Sequence, residues 1–384
     1  MNRRDFIKSA AGLALGLRGG AAAARESFPG KSWAWRAPAE AGLRKAELRR
    51  IADYLGGRGM IVRGGWAVFR WGDPSRAGDV ASAAKPIYTH FLIRAVEQGK
   101  LAGFDTRLIE YEPRLKNLNP TLGYKDRRIT FRHCANQISC YGVAEAPGTA
   151  FDYNDFQMAL FWDTLFLKVY GATLKTVDER VMRPGLSDPL QCEDSPSFLA
   201  FGLKDRPGRV RISPRDFCRF GLLYLRKGNW RGRQIVSVEH ARMAVSRPLP
   251  LSLPRTAGRA AEMIPGQRSI GSRDVPDNQT DHFGSYSWLW WVNGVRRSGR
   301  RLWPDAPKRV FTCLGHKHGQ RGMAAIPEWD IVLSWNDTRL GEKPWKDQQR
   351  DPHPLNEVFR LLRRSLGAAT REHSGPTRVK QGSA

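Results

Sequence analysis

The chain is expected to adopt an α/β (α+β) fold, in which one antiparallel sheet is flanked by helices and carries an inserted all-helical lobe. Three observations predict this. Strand-like runs of apolar, β-branched and aromatic residues occur early, at 60–71, and again in the last third, at 286–335. Helix-like segments fill the middle: 155–170 is apolar on most sides, and 213–228 opens with an N-cap and a proline. Amphipathic helices bracket the strand-rich ends, at 41–55 and 355–366. A sheet built from both ends of a chain leaves the middle to pack outside it, with a cleft between the two parts.

The elements are justified in order. Residues 1–24 read as an export segment rather than as fold. Asn2-Arg3-Arg4-Asp5-Phe6-Ile7-Lys8 precedes a weakly apolar stretch over 9–17 and small residues over 21–24. This resembles a twin-arginine signal and implies a periplasmic or secreted protein. The apolar stretch is too short to cross a bilayer, and no later segment is long and apolar enough to do so. Leu48, Ile51, Ala52 and Leu55 make the apolar stripe of the first helix. Two strands then flank Gly64-Gly65, a hairpin signal, and Gly72-Asp73-Pro74 closes the second. Ser82 opens a helical stretch that ends at Gly99.

The stretch 155–170 is apolar on most sides, so it is expected to be a buried helix stopped by Gly171. Ser213 is an N-cap and Pro214 the first helical residue of a helix running through Phe217, Phe220 and Leu223. Residues 248–281 are rich in Pro, Gly, Ser and Arg and read as a long excursion. Strands are expected at 286–292, 310–314, 322–326 and 331–335, with a turn at 327–330. The final helix ends at Gly367, and the tail reads as disordered. The expected domains are 25–80 with 281–370 for the sheet, 81–280 for the helical part, and 371–384 for the tail.

Composition narrows the function classes. A hydrophobic content of 41% with 13 Trp describes a globular chain, not a disordered one. The net charge of +26 raises nucleic-acid binding. The basic residues are spread from end to end, with no basic helix, zinc-finger spacing or RNA-binding string, so no specific nucleic acid is implied. Anionic polymers of a cell envelope are the partner such a surface would attract. Of the five cysteines, Cys134 and Cys140 are near enough to pair, while buried free thiols fit equally. Cys313, His316 and His318 match no zinc spacing, and no metal or cofactor is expected.

Three short motifs carry the chemistry: Ser82-Ala83-Ala84-Lys85, Tyr153-Asn154-Asp155 and Lys317-His318-Gly319. Each is weak alone. A serine hydroxyl needs a base to attack a carbonyl. Lys85, one helical turn on, faces the same side as Ser82. A lysine serves as that base only when neutral, which burial or a nearby cation favours, and Lys317 is the candidate cation. Tyr153, after a turn and before the buried helix, is placed to relay a proton. Lys317 is placed to hold a substrate carboxylate, and Gly319 to let substrate near the backbone. The N–H groups of Ser82 and Gln320 are the candidate oxyanion donors.

Together the motifs resemble the serine β-lactamase-related hydrolases, class C-like, with their penicillin-binding-protein and esterase relatives. The resemblance also rests on Trp71-Gly72-Asp73, Ile129-Thr130-Phe131-Arg132-His133, the stretch 216–232, Trp290-Trp291, and Gly315-His316-Lys317-His318-Gly319-Gln320. It implies a β-lactamase/transpeptidase-like fold and a hydrolase that works through an acyl-enzyme. Ser82 would be nucleophile, Lys85 general base, Tyr153 the proton-transfer residue, and Lys317 a substrate ligand. The lactamase branch usually carries Y-x-N, whereas here the third residue is Asp155. An ionised carboxylate cannot donate a hydrogen bond and would hold Lys85 charged. The expectation is therefore an ester or amide hydrolase rather than an efficient β-lactamase. The alternatives are a D-alanyl peptidase of the penicillin-binding-protein kind and a non-catalytic binding protein with the same fold.

Overall fold

The computed structural model describes residues 27–273 and 280–367. The expected export segment and tail lie outside them. In chain order, helix α1 (Lys45–Leu55) leads into the hairpin β1 (Arg58–Arg63) and β2 (Trp66–Trp71), and β3 (Gly78–Asp79) follows. Helices α2 (Lys85–Glu97), α3 (Phe131–Ala135) and α4 (Asp155–Trp162) come next, then β4 (Arg211–Ile212) and α5 (Pro214–Leu225). After the small pair β5 (Asn229–Trp230) and β6 (Arg233–Gln234) lies α6 (Val238–Ser246). Strands β7 (Tyr286–Ser287), β8 (Trp290–Val292), β9 (Phe311–Gly315), β10 (Arg321–Ile326) and β11 (Ile331–Asn336) precede α7 (Asn356–Ser365).

Seven strands form one sheet in the order β2-β1-β11-β10-β9-β8-β7, with every pairing antiparallel. Strands from the two ends of the chain meet where β1 pairs with β11, Ile61 opposite Leu333. The β1–β2 turn uses Gly64 at φ 60° and Gly65 at φ 84°. Two consecutive left-handed residues match the twist of the flanking strands, which glycine allows without strain.

The alternation of side chains sorts two cores. Ile61, Ala324, Ile326, Leu333 and Trp335 face α1 and α7, joining Leu48, Ile51, Val358 and Leu362. Met60, Val62, Met323, Ala325 and Val332 face the other way, into a larger core that includes α2, α4 and α5. Both faces of the central strands are therefore covered, and β11 is buried along its whole length. Helix α5 lies close on the sheet: a Cβ on Gly221 would stand 2.6 Å from Met323 Sδ and from Val332 Cγ1. Arg219, fully buried, ties α5 to the chain around it. It donates to Gly30 O at 2.9 Å, Leu190 O at 3.0 Å and Glu193 Oε1 at 2.8 Å.

The structure departs from expectation in local geometry. Tyr286 to Val292 is not one strand: Trp288 and Leu289 take φ of 49° and 69°, and β7 folds straight back on β8. No glycine marks that turn, so nothing local announced it. The buried helix expected at 155–170 is α-helical only to Trp162 and widens into π-helical turns over Asp163–Val169. There the Thr164 hydroxyl donates to Leu160 O at 2.7 Å, competing for a helix acceptor. The helix expected from Ser82 begins as a 3₁₀ turn, Ala81–Ala84, and turns α-helical only at Lys85. Pro86 thus falls in the first turn of α2, where no intrahelical backbone donor is required. All five cysteines are free thiols, so Cys134 and Cys140 do not pair.

Candidate active site

The first motif is held in place from several directions. Ala81 has φ 49°, a conformation that costs a non-glycine residue on the order of 1 kcal/mol. Its N–H donates to Asp79 Oδ1 at 3.2 Å. Asp79 is in turn gripped by two cations: Arg209 Nε donates at 2.9 Å, and Arg321 pairs with its other oxygen. The end of β9 lies against this turn so closely that a Cβ on Gly315 would be 2.1 Å from Val80 O and 2.7 Å from Ala83 N. Glycine is the residue that permits that approach.

Lys85 leaves the start of α2 and is 2% exposed. Its ammonium Nζ donates to Ser82 Oγ at 2.8 Å and to Asp155 Oδ1 at 2.8 Å. It also lies 4.6 Å from the centroid of the Tyr153 ring, over its face. Asp155 is the first residue of α4. Asn154 caps that helix, its Oδ1 accepting from Phe156 N at 2.7 Å and from Gln157 N at 3.2 Å. The helix N-terminus favours the negative charge of Asp155. Gly271 packs directly on the carboxylate, where a Cβ would fall 2.0 Å from Oδ2, and Ser272 N donates to Oδ2 at 3.3 Å.

Burial opposes the charge on Lys85. The neighbouring Asp155, with smaller contributions from Tyr153 and Tyr88, outweighs burial and pushes the pKa above its ordinary value. The site therefore holds an ammonium–carboxylate pair. The expectation that Lys317 would lower the Lys85 pKa is corrected: a carboxylate at 2.8 Å governs this amine.

The third motif forms a 3₁₀ turn, Lys317–Gly319, between β9 and β10. Lys317 is exposed and makes no ion pair among the described residues. His318, at φ 53°, has its pKa lowered by partial burial and by Lys317. The expected oxyanion donor Gln320 is also corrected. Its N–H closes the turn, donating to His316 O at 3.0 Å, and is taken. The Ser82 N–H has no partner among the described residues. A donor thus remains beside the hydroxyl oxygen.

Ser82, Tyr153, Asp155, Lys317 and Gly319 line one cleft of about 830 Å³. Phe283, Trp291 and Trp345 give it an aromatic wall, and Tyr153 stacks on Trp291 at 6.4 Å between centroids. The Asp79, Arg209 and Arg321 cluster, together with Gly271 and Gly315, went unread as functional in the sequence. Asp79 lies 130 residues from Arg209 and 242 from Arg321, and no local pattern joins them. The one available signal was the pair of isolated glycines.

No protein-family model and no curated protein matches this sequence. Solved structures do match. A putative 6-aminohexanoate-dimer hydrolase from Bacillus anthracis is 14% identical at a TM-score of 0.54, over 88% of this chain and 86% of that one. A β-lactamase from Mycobacterium bovis is 14% identical at 0.52, over 83% and 100%. A penicillin-binding-protein homologue from Caulobacter crescentus is 13% identical at 0.50, over 83% and 95%. At these identities the likeness is one of fold: the chain has the β-lactamase and penicillin-binding-protein fold.

The close approach of β9 to the Ser82 turn has a measurable consequence. Gly315→Ala should lower stability by about 1–3 kcal/mol, since backbone must move to admit the methyl group. Gly103→Ala, where a Cβ meets nothing within 4 Å, should stay within about 0.5 kcal/mol of the parent. Urea denaturation of the two variants makes the comparison.

Proposed function

We propose that this protein is an exported serine hydrolase that cleaves an ester or amide through an acyl-enzyme on Ser82. The observation that carries the reading is the position of Lys85 Nζ, 2.8 Å from both Ser82 Oγ and Asp155 Oδ1 at the cleft. In this reading Lys85, once neutral, takes the proton of Ser82 as Oγ attacks the carbonyl carbon. The Ser82 N–H stabilises the oxyanion. Tyr153 and Lys85 return the proton to the leaving group as the tetrahedral species collapses. A water molecule then hydrolyses the acyl-serine by the reverse proton path. The fold is shared with proteins named as a 6-aminohexanoate-dimer hydrolase and as a β-lactamase, which supports hydrolysis of an amide-like bond.

Two further readings rest on particular observations. Lys317 lines the cleft without an ion pair among the described residues, which suits a substrate ending in a carboxylate and favours a D-alanyl peptidase. The charge held on Lys85 favours a binding protein without turnover. Ser82→Ala separates the binder from the hydrolases. Turnover of an activated ester should fall about a thousandfold or more, because the covalent route is gone. Parent and variant that are equally inactive on esters, peptides and lactams would favour the binder.

Asp155 gives the reading a pH signature. Activity requires neutral Lys85, and Asp155 raises its pKa, so the rate should climb on the alkaline side. In Asp155→Asn the buried ammonium loses its counter-charge, which would cost about 3–5 kcal/mol if the charge stayed. Lys85 escapes that cost by losing its proton, so its pKa falls. The rising limb of the kcat profile should then move to lower pH. An unmoved limb in a folded variant would contradict this account of Asp155.

Export rests on residues 1–24, which lie outside the described structure. Among the described residues no helix is long and apolar enough to cross a membrane. Changing Arg3→Lys together with Arg4→Lys should leave the protein in the cytoplasm of an exporting cell, and cell fractionation reads the outcome.

A further inference from the structure

A second cavity, of about 780 Å³, lies on the other side of the β7–β8 hairpin from the cleft and shares none of its lining residues. Adjacent residues divide between the two. Trp291 and Phe283 line the cleft, while Val292 and Gly284 line the second cavity. Its apolar surface comes from Tyr224 and Leu225 at the end of α5, Val245 of α6, Leu249 and Leu251 of the following loop, and Phe311 of β9. Leu251 is 36% exposed there, and Val295, also a lining residue, 38%. Large apolar side chains left open in a concave site are a feature of ligand pockets of this size.

The charges around it have one sign. Lys227, Arg242, Arg301, Lys308 and Arg309 line the cavity, and no acidic residue does so among the described residues. Two of these cations are engaged: Arg309 Nε donates to Glu328 Oε1 at 3.1 Å, and Arg301 Nη1 to Asn293 O at 2.7 Å. Lys227, Arg242 and Lys308 are exposed and make no ion pair among the described residues. An apolar hollow rimmed by unpaired cations is complementary to a molecule with an alkyl body and an anionic head. A neutral apolar ligand would leave the cations idle, and a small anion would leave the hollow unfilled.

We propose that this cavity binds a single-chain anionic amphiphile, a free alkyl carboxylate of about ten or more carbons. Its chain lies among Val245, Leu249 and Phe311, and its carboxylate meets Arg242 and Lys308. A concave hollow of this size fits a free molecule rather than a bilayer surface, which calls for a protruding apolar face.

The test uses the full chain and dodecanoate, titrated by calorimetry. Dodecanoate should bind at least tenfold more tightly than dodecanol and than butyrate. Arg242→Glu with Lys308→Glu should weaken it by tenfold or more, leaving turnover of an activated ester unchanged. A photoreactive dodecanoate carrying a diazirine on its chain, used on the unaltered protein, should label α6 and the 248–251 loop. That measurement stands even if the double variant fails to fold. Equal binding of dodecanol or butyrate, unaltered binding in a folded double variant, or labelling confined to the Ser82 cleft would each overturn the proposal. So would co-sedimentation with anionic phospholipid vesicles that soluble dodecanoate does not compete away.

Discussion

A lysine ammonium enclosed almost completely by protein must have its three N–H directions answered, or it cannot stay charged. Lys85 meets that demand with a hydroxyl, a carboxylate and the face of a tyrosine ring. These partners come from two separate parts of the chain, so the fold must bring the start of α2 and the start of α4 to one point. Much of the local architecture follows from that requirement. The Asn154 cap fixes where α4 begins and so where Asp155 sits. The glycine at 271 lets a loop close over the carboxylate, and the glycine at 315 lets a strand close over the serine turn.

The strain at Ala81 belongs to the same arrangement. A left-handed alanine persists only where its surroundings hold it. Here Asp79 takes its N–H, and two arginines from distant elements take Asp79. The serine thus rests on a charged cluster whose members link β3, β10 and the loop before β4. The pieces of the site were gathered by packing and charge, not by proximity along the chain.

How much of this the residues disclose depends on the range of the forces involved. The sheet was legible because a strand covered on both faces is apolar throughout, as at Met60, Ile61 and Val62, which divide between the two cores. The cap at Ser213 was legible because its bond to Asp216 N spans three residues. The Ser82–Lys85 contact was legible for the same reason: one helical turn fixes it. Features set by distant partners were not. The Asp79 cluster has no local mark, and the β7–β8 turn uses Trp288 and Leu289 at positive φ, with Trp288 packed edge-on against the distant Phe104. The Gln320 N–H was misassigned because nothing in the segment between the two strands announced the 3₁₀ turn that uses it. The effect of Asp155 on Lys85 was legible in sign, since a carboxylate beside an amine can only favour its charge.

The central claim is that the Ser82 oxygen is the one that becomes covalently bound. It is tested most directly by treating the intact protein with a fluorophosphonate and mapping the adduct by peptide mass spectrometry. The account predicts one adduct, on the peptide containing Ser82, forming faster as pH rises on the alkaline side, where more of Lys85 is neutral. No adduct across that range, or one on any other residue, would contradict it.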